Sequence, residues 1–348
     1  MRLVNFTLVA ALVVLSFYLL IAGRELLLPL VIAFVFWFLI NLLAKAFSQP
    51  AVAGKHLPRW VCYVLSIFCF IGMVWALVGL VSMNIDELVR VAPLYQAKLE
   101  ARGDSLLQYF GMEAIPSLSQ LGDIVNLGDI ITRLASSITN VAAQSGIILI
   151  YLGFLLLEQA DFDKKLAVLI KDPQKEKDVR RLIRRIDKDV RKYIGIKMVT
   201  SGLTGILSYI VLEMIGVNFS EFWAILIFLL NFIPTIGSII ATIFPALITL
   251  VQFDNLTPFI LVITVVTAIQ FSIGNILEPK MMGSSLNLSP MIILLNLSLW
   301  GMIWGVPGMF LCVPVLVIGM IVFSHLPQTR AIAVLLSRDG QISTLSDD

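Results

Sequence analysis

The sequence contains few of the residues from which catalytic or metal sites are usually built. It has two histidines and three cysteines among 348 residues, and only 14% of its residues are charged. Cys62, Cys69 and Cys312 all fall inside apolar runs, which favours small buried hydrophobic side chains over disulfides or metal ligands. No hydrolase, zinc-protease or phosphate-loop motif occurs in it. We therefore expect no enzyme activity, no metal or other cofactor, and no nucleic-acid partner.

Apolar residues, by contrast, are abundant along the chain. They make up 59% of it, and the mean hydropathy is +0.95. A soluble fold of this length could not enclose so much apolar surface, so much of that surface must face lipid. The composition therefore predicts an integral membrane protein that is surrounded by a lipid bilayer.

Eight uncharged stretches recur along the chain, and most have the length of a membrane span. A helix needs about 20 residues to cross the hydrocarbon core of a bilayer. We therefore predict an all-α, multi-span helical bundle. The stretches are residues 3–22, 26–44, 60–85, 134–157, 198–212, 222–253, 255–277 and 291–323.

The charges between these stretches indicate their orientation. Residues 86–133 hold seven acids against four bases, whereas residues 158–197 hold 13 Lys or Arg against eight acids. The positive-inside rule then places residues 158–197 and both termini in the cytoplasm, and residues 86–133 outside. Apolar residues at helical spacing in the inner segment predict an amphipathic helix, which could lie along anionic headgroups or pack on a partner helix.

Two of the uncharged stretches are too long for a single span. Residues 222–253 and 291–323 number 32 and 33. A straight helix of that length would reach about 50 Å, which exceeds the bilayer core. Both lengths favour two broken, re-entrant hairpins in the C-terminal half, each made of two half-helices near the midplane. Two tilted, kinked helices that each cross once are the alternative.

Proline and glycine interrupt both long stretches near their midpoints. The first contains the sequence NFIPTIG, in which Pro234 should free the carbonyl of Leu230 and Gly237 should permit the following turn. The second contains GVPG. Such breaks are tolerated at membrane depth where protein or a wet cavity covers them. The residues predicted to form the breaks are Pro234, Gly237, Gly305, Pro307, Gly308 and Pro314.

One face of the stretch at residues 255–277 is polar. The polar residues fall within about 140° of arc on a helix, while isoleucine and valine fill the remainder. Such a face is expected to point into the bundle or a water-filled path, or to form hydrogen bonds between helices. The residues that form it are Thr264, Thr267, Gln270, Gly274, Asn275 and Glu278.

The triplet Glu278-Pro279-Lys280 follows this polar stretch directly. Proline disfavours helical geometry at the residue before it, so we predict that the helix ends at Glu278. Lys280 could then pair with Glu278 or with headgroups. The triplet has a structural interpretation, as a helix end, and a functional one, as a gate or coupling site. Glu213 is the other acid at the edge of the later spans.

Three C-terminal motifs, in this order and spacing, resemble those of the autoinducer-2 exporter (AI-2E) family of bacterial inner-membrane proteins. They are NFIPTIGSIIA at 231–241, GNILEPKMMGSSLNLSP at 274–290 and LWGMIWGVPGMFLCVPV at 299–315. The resemblance implies a homopentameric transporter, nearest to the subgroup that exports the quorum-sensing signal autoinducer-2. Other members are similar to sodium or lithium/proton antiporters. The family core matches Asn231, Pro234, Gly237, Asn275, Glu278, Pro279, Lys280, Gly283, Gly305, Pro307, Gly308 and Pro314.

Autoinducer-2 is small and hydroxylated, so uncharged hydrogen-bonding side chains would suit it. We expect a substrate pathway at Asn231, Thr235, Gln270 and Asn275, and a gate or coupling site at Glu278, Pro279, Lys280 and Glu213. The shortage of acids deep in the spans favours facilitated or weakly coupled export. A sodium or lithium/proton antiporter would instead need Glu213 or Glu278, and a membrane scaffold would carry no flux.

These expectations divide the chain into six segments. They are three transmembrane helices in residues 1–85, an extracytoplasmic helical segment at 86–133, a fourth transmembrane helix at 134–157, a cytoplasmic basic amphipathic segment at 158–197, a transport core at 198–325 and a cytoplasmic tail at 326–348.

Overall fold

The computed structural model describes residues 2–48, 58–109, 136, 143–159, 161–283, 287–326 and 328–341. These residues are helical almost throughout, which confirms the predicted all-α class. The helices are α1 (Arg2–Ala22), α2 (Arg24–Ser48), α3 (Arg59–Tyr109), α4 (Ser145–Glu158), α5 (Phe162–Leu169), α6 (Pro173–Ile215), α7 (Ser220–Leu230), α8 (Ile236–Gln252), α9 (Thr257–Phe271), α10 (Glu278–Met282), α11 (Pro290–Trp304), α12 (Val306–His325) and α13 (Arg330–Leu336), with a π-helical segment, Ser272–Leu277, between α9 and α10.

The chain divides into two compact units. One contains residues 1–67, 144–195 and 282–348, and the other contains residues 68–143 and 196–281. The first predicted hairpin therefore belongs to the second unit, and the second hairpin belongs to the first unit. Residues of the predicted transport core at 198–325 fall in both units, and the division into six segments stays a prediction.

Several helices in the described part of the chain are long and apolar enough to cross a membrane, as predicted. Five of them qualify on their own, and α4 with α5 supplies a sixth if their 65° bend lies within one span. The shorter apolar helices include α7, α8 and α11, which are arms of the predicted hairpins. The five candidate spans are α2, the Arg59–Asn84 part of α3, α6, Thr257–Met282 and α12.

Two helices continue well beyond the predicted spans. The helix α3 extends to Tyr109, so it contains the first half of the predicted outer segment, and residues 110–133 of that segment lie outside the described residues. The 43-residue helix α6 joins the basic segment to the predicted span at 198–212 without a break. Arg180 in its basic part donates to Glu176 at 2.8 Å and to Asp163 of α5, and these bonds raise the pKa of the guanidinium. These bonds lie on the charged face, so the two roles predicted for the amphipathic segment both stay predictions.

The first predicted hairpin consists of α7 and α8, separated by a break at residues 231–235. Its arms fold back on each other, because a Cβ placed on Gly237 would lie 1.8 Å from the carbonyl oxygen of Leu230. The ring of Trp223, fully buried on α7, stacks on the ring of Phe244 on α8 with centroids 6.2 Å apart. This contact confirms a hairpin rather than one kinked helix.

The second hairpin consists of α11 and α12 and turns at a single residue, Gly305. Its φ of 67° lies in a region that side chains with a Cβ rarely adopt, which explains the glycine. A Cβ on Gly308 would lie 2.1 Å from the carbonyl oxygen of Trp300, so these arms also touch through their backbones. The side-chain amide of Asn296 donates to the carbonyl of Cys312 across the pair. The second hairpin is therefore confirmed.

The two prolines of the second hairpin lie inside α12. Pro307 occupies the first turn, where no amide donor is required, and Pro314 is buried in the helix interior. The hairpin packs on the N-terminal helices, since Trp304 donates through Nε1 to the carbonyl of Leu20 at 3.1 Å. An apolar cluster formed by Leu28, Ile303, Trp304 and Leu311 continues this contact.

Two of the three cysteines lie where the sequence predicts. Cys62 and Cys312 are buried, whereas Cys69 is exposed on α3, and none of them forms a disulfide in the described part of the protein. The prediction of a buried side chain was wrong for Cys69, because an apolar run on a membrane helix also contains the positions that face outward.

The C-terminal segment is fastened to the loop that precedes α11. A bridge pairs Leu288 with Ser337, and the amide of Ser289 donates to the carbonyl of Leu336 at 2.9 Å. The side-chain amide of Asn287 donates to the carboxylate of Asp339. We call this contact between residues 287–289 and 336–341 the clasp.

The clasp should depend on the ionised carboxylate of Asp339. Its pKa lies below the ordinary value of 3.8 because of the hydrogen bond from Asn287 and, next, the one from the Gln341 amide. A lowered pKa contributes stability that is complete above the unfolded-state pKa and is lost as pH falls through the folded-state pKa. We expect the amides of Arg338 and Gln341 to be protected from hydrogen exchange at neutral pH and to lose protection below pH 3.8.

Asp339→Asn should remove that protection at neutral pH, and Glu25→Gln, an exposed acid elsewhere, should leave it intact. Exchange rates that respond to neither acid nor Asp339→Asn would contradict this role.

Candidate functional site

The break in the first hairpin changes which backbone carbonyls are hydrogen-bonded within a helix. The carbonyl of Leu230 is satisfied, because the amide of Ile233 donates to it at 2.8 Å. The predicted free carbonyl was therefore the wrong one, since the chain tightens into three-residue turns before Pro234. The carbonyl of the next residue, Asn231, instead accepts a hydrogen bond from Nζ of Lys197 at 3.2 Å.

Thr235 carries the backbone strain of this break. It has φ 58° and ψ −60°, and the amide of Ile236 donates to the carbonyl of Pro234 at 2.6 Å across it, which defines a γ-turn. Backbone conformations of this kind cost about 1–3 kcal/mol and cluster at functional sites. Gly237 was predicted to permit the turn, but it lies in the first turn of α8 and allows the close approach to Leu230.

The face of α6 beside the break carries a row of buried polar side chains. Measured over the whole residue, the members of this row are between 0% and 7% exposed: Lys197, Thr200, Ser201, Thr204 and Ser208. Their spacing of three, four, seven and eleven residues places them on one face of a helix. The side-chain amide of Asn231 donates to Oγ of Ser201 at 2.9 Å, and Oγ of Ser208 has no hydrogen-bond partner in the described part of the protein.

An ion pair lies at the start of this row. Nζ of Lys197 is 2.8 Å from Oε1 and 2.9 Å from Oε2 of Glu278, and the two side chains are 9% and 13% exposed. Oγ1 of Thr200 also donates to Oε2 of Glu278, at 3.4 Å. Because the pair is nearly enclosed, each charge depends on the other for compensation. The ammonium therefore connects α6, the break and α10.

The helix does not end at Glu278, contrary to the prediction. Glu278 has φ −59° and ψ −49°, and α10 continues to Met282. The π-helical segment just before it shifts the carbonyls out of α-helical register, which relieves the clash with Pro279 in the following turn. From this position in the helix Glu278 pairs with Lys197. Of the two partners predicted for Lys280, Glu278 is wrong, because Glu278 pairs with Lys197, and pairing of the exposed Lys280 with headgroups stays a prediction.

The polar face predicted on residues 255–277 is divided by the structure. Gln270 is buried and donates to Oγ1 of Thr242 at 2.9 Å, so it forms the predicted kind of interhelical hydrogen bond. Thr264, Thr267 and Asn275 are exposed, whereas valines at 262 and 266 point inward. Burial within the bundle is therefore wrong for these three residues, and their place on a water-filled path stays a prediction.

Glu213 does not belong to the same cluster as Glu278. It lies sixteen residues beyond Lys197 on α6, or about 24 Å along the helix, and it accepts a hydrogen bond from Ser220. Of the predicted pathway and gate residues, the structure brings together Asn231 and Glu278. Thr235 is exposed at the break, and Pro279 is exposed beside the site.

Sequence analysis missed the contribution of α6 to this site. Lys197 was assigned to the cytoplasmic segment, and the hydroxyl residues after it were treated as part of an uncharged span. The helical spacing of Thr200, Ser201, Thr204 and Ser208 is the signal that could have identified a buried polar face.

Apolar spans, two broken hairpins and a buried ion pair at a helix break define a multi-pass membrane protein of the transporter class. A family model matches residues 6–328 of the chain, and it describes the AI-2E family of transporters. The protein is therefore a member of the AI-2E transporter family, as the three C-terminal motifs predicted.

Relatives of similar length support this assignment. The AI-2 transport protein TqsA of Escherichia coli is 31% identical over 313 residues, which are 86% of this chain and 88% of TqsA. A Haemophilus influenzae protein is 32% identical over 310 residues, with the same coverage. A Borreliella burgdorferi protein is 34% identical over 267 residues, which are 76% of this chain and 72% of that protein. The last two are named as transport proteins, and their names give no substrate.

Proposed function

We propose that this protein exports a small, uncharged polar molecule across the bacterial cytoplasmic membrane, with autoinducer-2 as the substrate. The observation that carries the proposal is the row of buried hydroxyl groups beside the break, which ends at the unpartnered Ser208. Hydroxyl groups both donate and accept hydrogen bonds, so they suit a hydroxylated solute. The name of TqsA, as an AI-2 transport protein, supports the choice of substrate.

Facilitated or weakly coupled transport is the mode that we propose. Lys197 and Glu278 compensate each other, so their charges add no net charge to the hydroxyl row. A neutral solute then crosses without a charged partner. We further propose a homopentamer with both termini in the cytoplasm, on the basis of the family motifs and the excess of basic residues at 158–197.

The test is autoinducer-2 flux from proteoliposomes that contain the purified protein, with and without an imposed proton or sodium gradient. We expect flux that is independent of either gradient. Asn231→Leu removes the amide that donates to Ser201 and should lower the flux about tenfold, which corresponds to one hydrogen bond. Asn255→Leu, at an exposed asparagine between α8 and α9 that belongs to no predicted site, is the matched control and should retain wild-type flux.

Two other outcomes would each replace the proposal. Sodium-dependent proton movement that requires Glu278, without autoinducer-2 flux, would favour a sodium or lithium/proton antiporter, which the buried ion pair also suits. The absence of both fluxes, with a folded protein, would favour a membrane scaffold.

A further inference from the structure

The ammonium group of Lys197 is surrounded by protein oxygen atoms of the kind that bind an alkali-metal cation. Its oxygen neighbours are both carboxylate oxygens of Glu278, at 2.8 and 2.9 Å, and the carbonyl of Asn231, at 3.2 Å. The hydroxyl of Thr200 adjoins the same carboxylate. These groups come from α6, α10 and the break after α7, so they form a built site rather than a chance surface pair.

Three features of this site favour a positive charge independently of the lysine. Glu278 contributes one negative charge. The Asn231 carbonyl lies at the break and accepts its hydrogen bond from Lys197. The carbonyl also lies at the C-terminal end of α7, which is the negative end of the helix dipole. Oxygen ligands with a total charge of minus one suit a single hard monovalent cation.

We propose that residues Glu278, Asn231 and Thr200 form a monovalent-cation site and that Lys197 occupies it as a tethered cation. The lysine supplies permanently the charge that a Na⁺ or K⁺ ion would otherwise supply from solution. Transport by the wild-type protein therefore needs no alkali cation, and removal of the lysine opens the site to one. Lys197 is the residue that makes transport independent of alkali cations.

The test compares the unfolding of purified variants in chlorides of sodium, potassium and N-methyl-D-glucamine at equal ionic strength. In Lys197→Gln the site lacks its cation, so Na⁺ or K⁺ should stabilise the fold. The ratio of folded to unfolded protein should rise about tenfold at an ion concentration ten times the dissociation constant. Wild type and the double variant Lys197→Gln with Glu278→Gln should not respond. Lys188→Gln, an exposed lysine of α6, is the matched control.

Either of two results would overturn the cation site. One is a folded Lys197→Gln whose unfolding is the same in all three salts. The other is a Lys197→Gln that stays unfolded in sodium and potassium while the double variant folds, because the oxygens then accept no mobile cation.

A flux measurement extends the test and rests on the proposed export function. Autoinducer-2 flux should be independent of sodium in the wild type and should require sodium or potassium in Lys197→Gln. If no variant carries flux, the export proposal fails while the unfolding data still decide the cation site. Flux in Lys197→Gln without any alkali cation would contradict the role of Lys197 in coupling.

Discussion

Gly237→Ala is expected to lower the free energy of unfolding by about 3 kcal/mol, at the upper end of the usual effect of overpacking. The added Cβ would lie 1.8 Å from the carbonyl oxygen of Leu230 and 2.8 Å from its carbonyl carbon. Because these are backbone atoms, no side-chain rotation relieves the contact. The arms of the first hairpin would have to separate, which moves the Asn231 carbonyl away from Lys197. Flux should fall together with stability.

Gly202→Ala is the matched control for this variant. Gly202 lies inside α6 in the same unit, and a Cβ there would meet no atom within 4 Å. Alanine at an unhindered helical position stabilises a protein by up to about 1 kcal/mol relative to glycine. Chemical unfolding in detergent micelles measures both variants. Equal stability of Gly237→Ala and Gly202→Ala would show that the arms do not meet as closely as the structure shows.

Glu278→Gln is expected to lower the free energy of unfolding by about 3–5 kcal/mol, because it leaves the Lys197 ammonium buried without its counter-ion. The double variant with Lys197→Gln should lose less than the sum of the two single variants, since it leaves no isolated charge. A double-mutant cycle measures this coupling. Flux through the single variant should fall as well, because the break loses the lysine that holds its carbonyl.

Glu213→Gln provides the comparison for Glu278→Gln. Glu213 is exposed and accepts one hydrogen bond from Ser220, so its replacement should change stability by less than about 1 kcal/mol. Additive effects of Lys197→Gln and Glu278→Gln would show that the two side chains are not coupled. Transport and stability that are both unchanged in Glu278→Gln would exclude the gate or coupling role of Glu278.

Much of the helical architecture could be predicted from the sequence. Uncharged stretches of span length follow from composition, and proline and glycine near the middle of the two longest ones predicted both hairpins. Gly305 and Gly308 illustrate why this works, since a positive φ and a backbone contact each exclude a Cβ. Each such local requirement is met by a single residue type, so it can be recognised in the sequence without a structure.

The partner of Glu278 in its ion pair could not be predicted in the same way. Lys280 is two residues from Glu278, whereas Lys197 is 81 residues away, so sequence analysis considered only the nearer lysine as a possible partner of Glu278. The helix was expected to end at Glu278 because of Pro279, but the π-helical segment before it allows the chain to continue. Gln270 and Asn275 lie at opposite edges of the predicted polar arc, so one edge can be buried, as at Gln270, while the other is exposed, as at Asn275.

The sequence by itself determined that this is a helical membrane protein of the AI-2E family with two broken hairpins, because lipid requires apolar spans and breaks require proline or glycine. Only the tertiary structure decided what the breaks bring together. In the structure the Leu230 carbonyl accepts a hydrogen bond from the amide of Ile233, and the Asn231 carbonyl accepts one from Lys197. The same lysine forms an ion pair with Glu278. A buried charge selects its partner by distance and enclosure in the folded chain, and neither quantity can be read from sequence spacing.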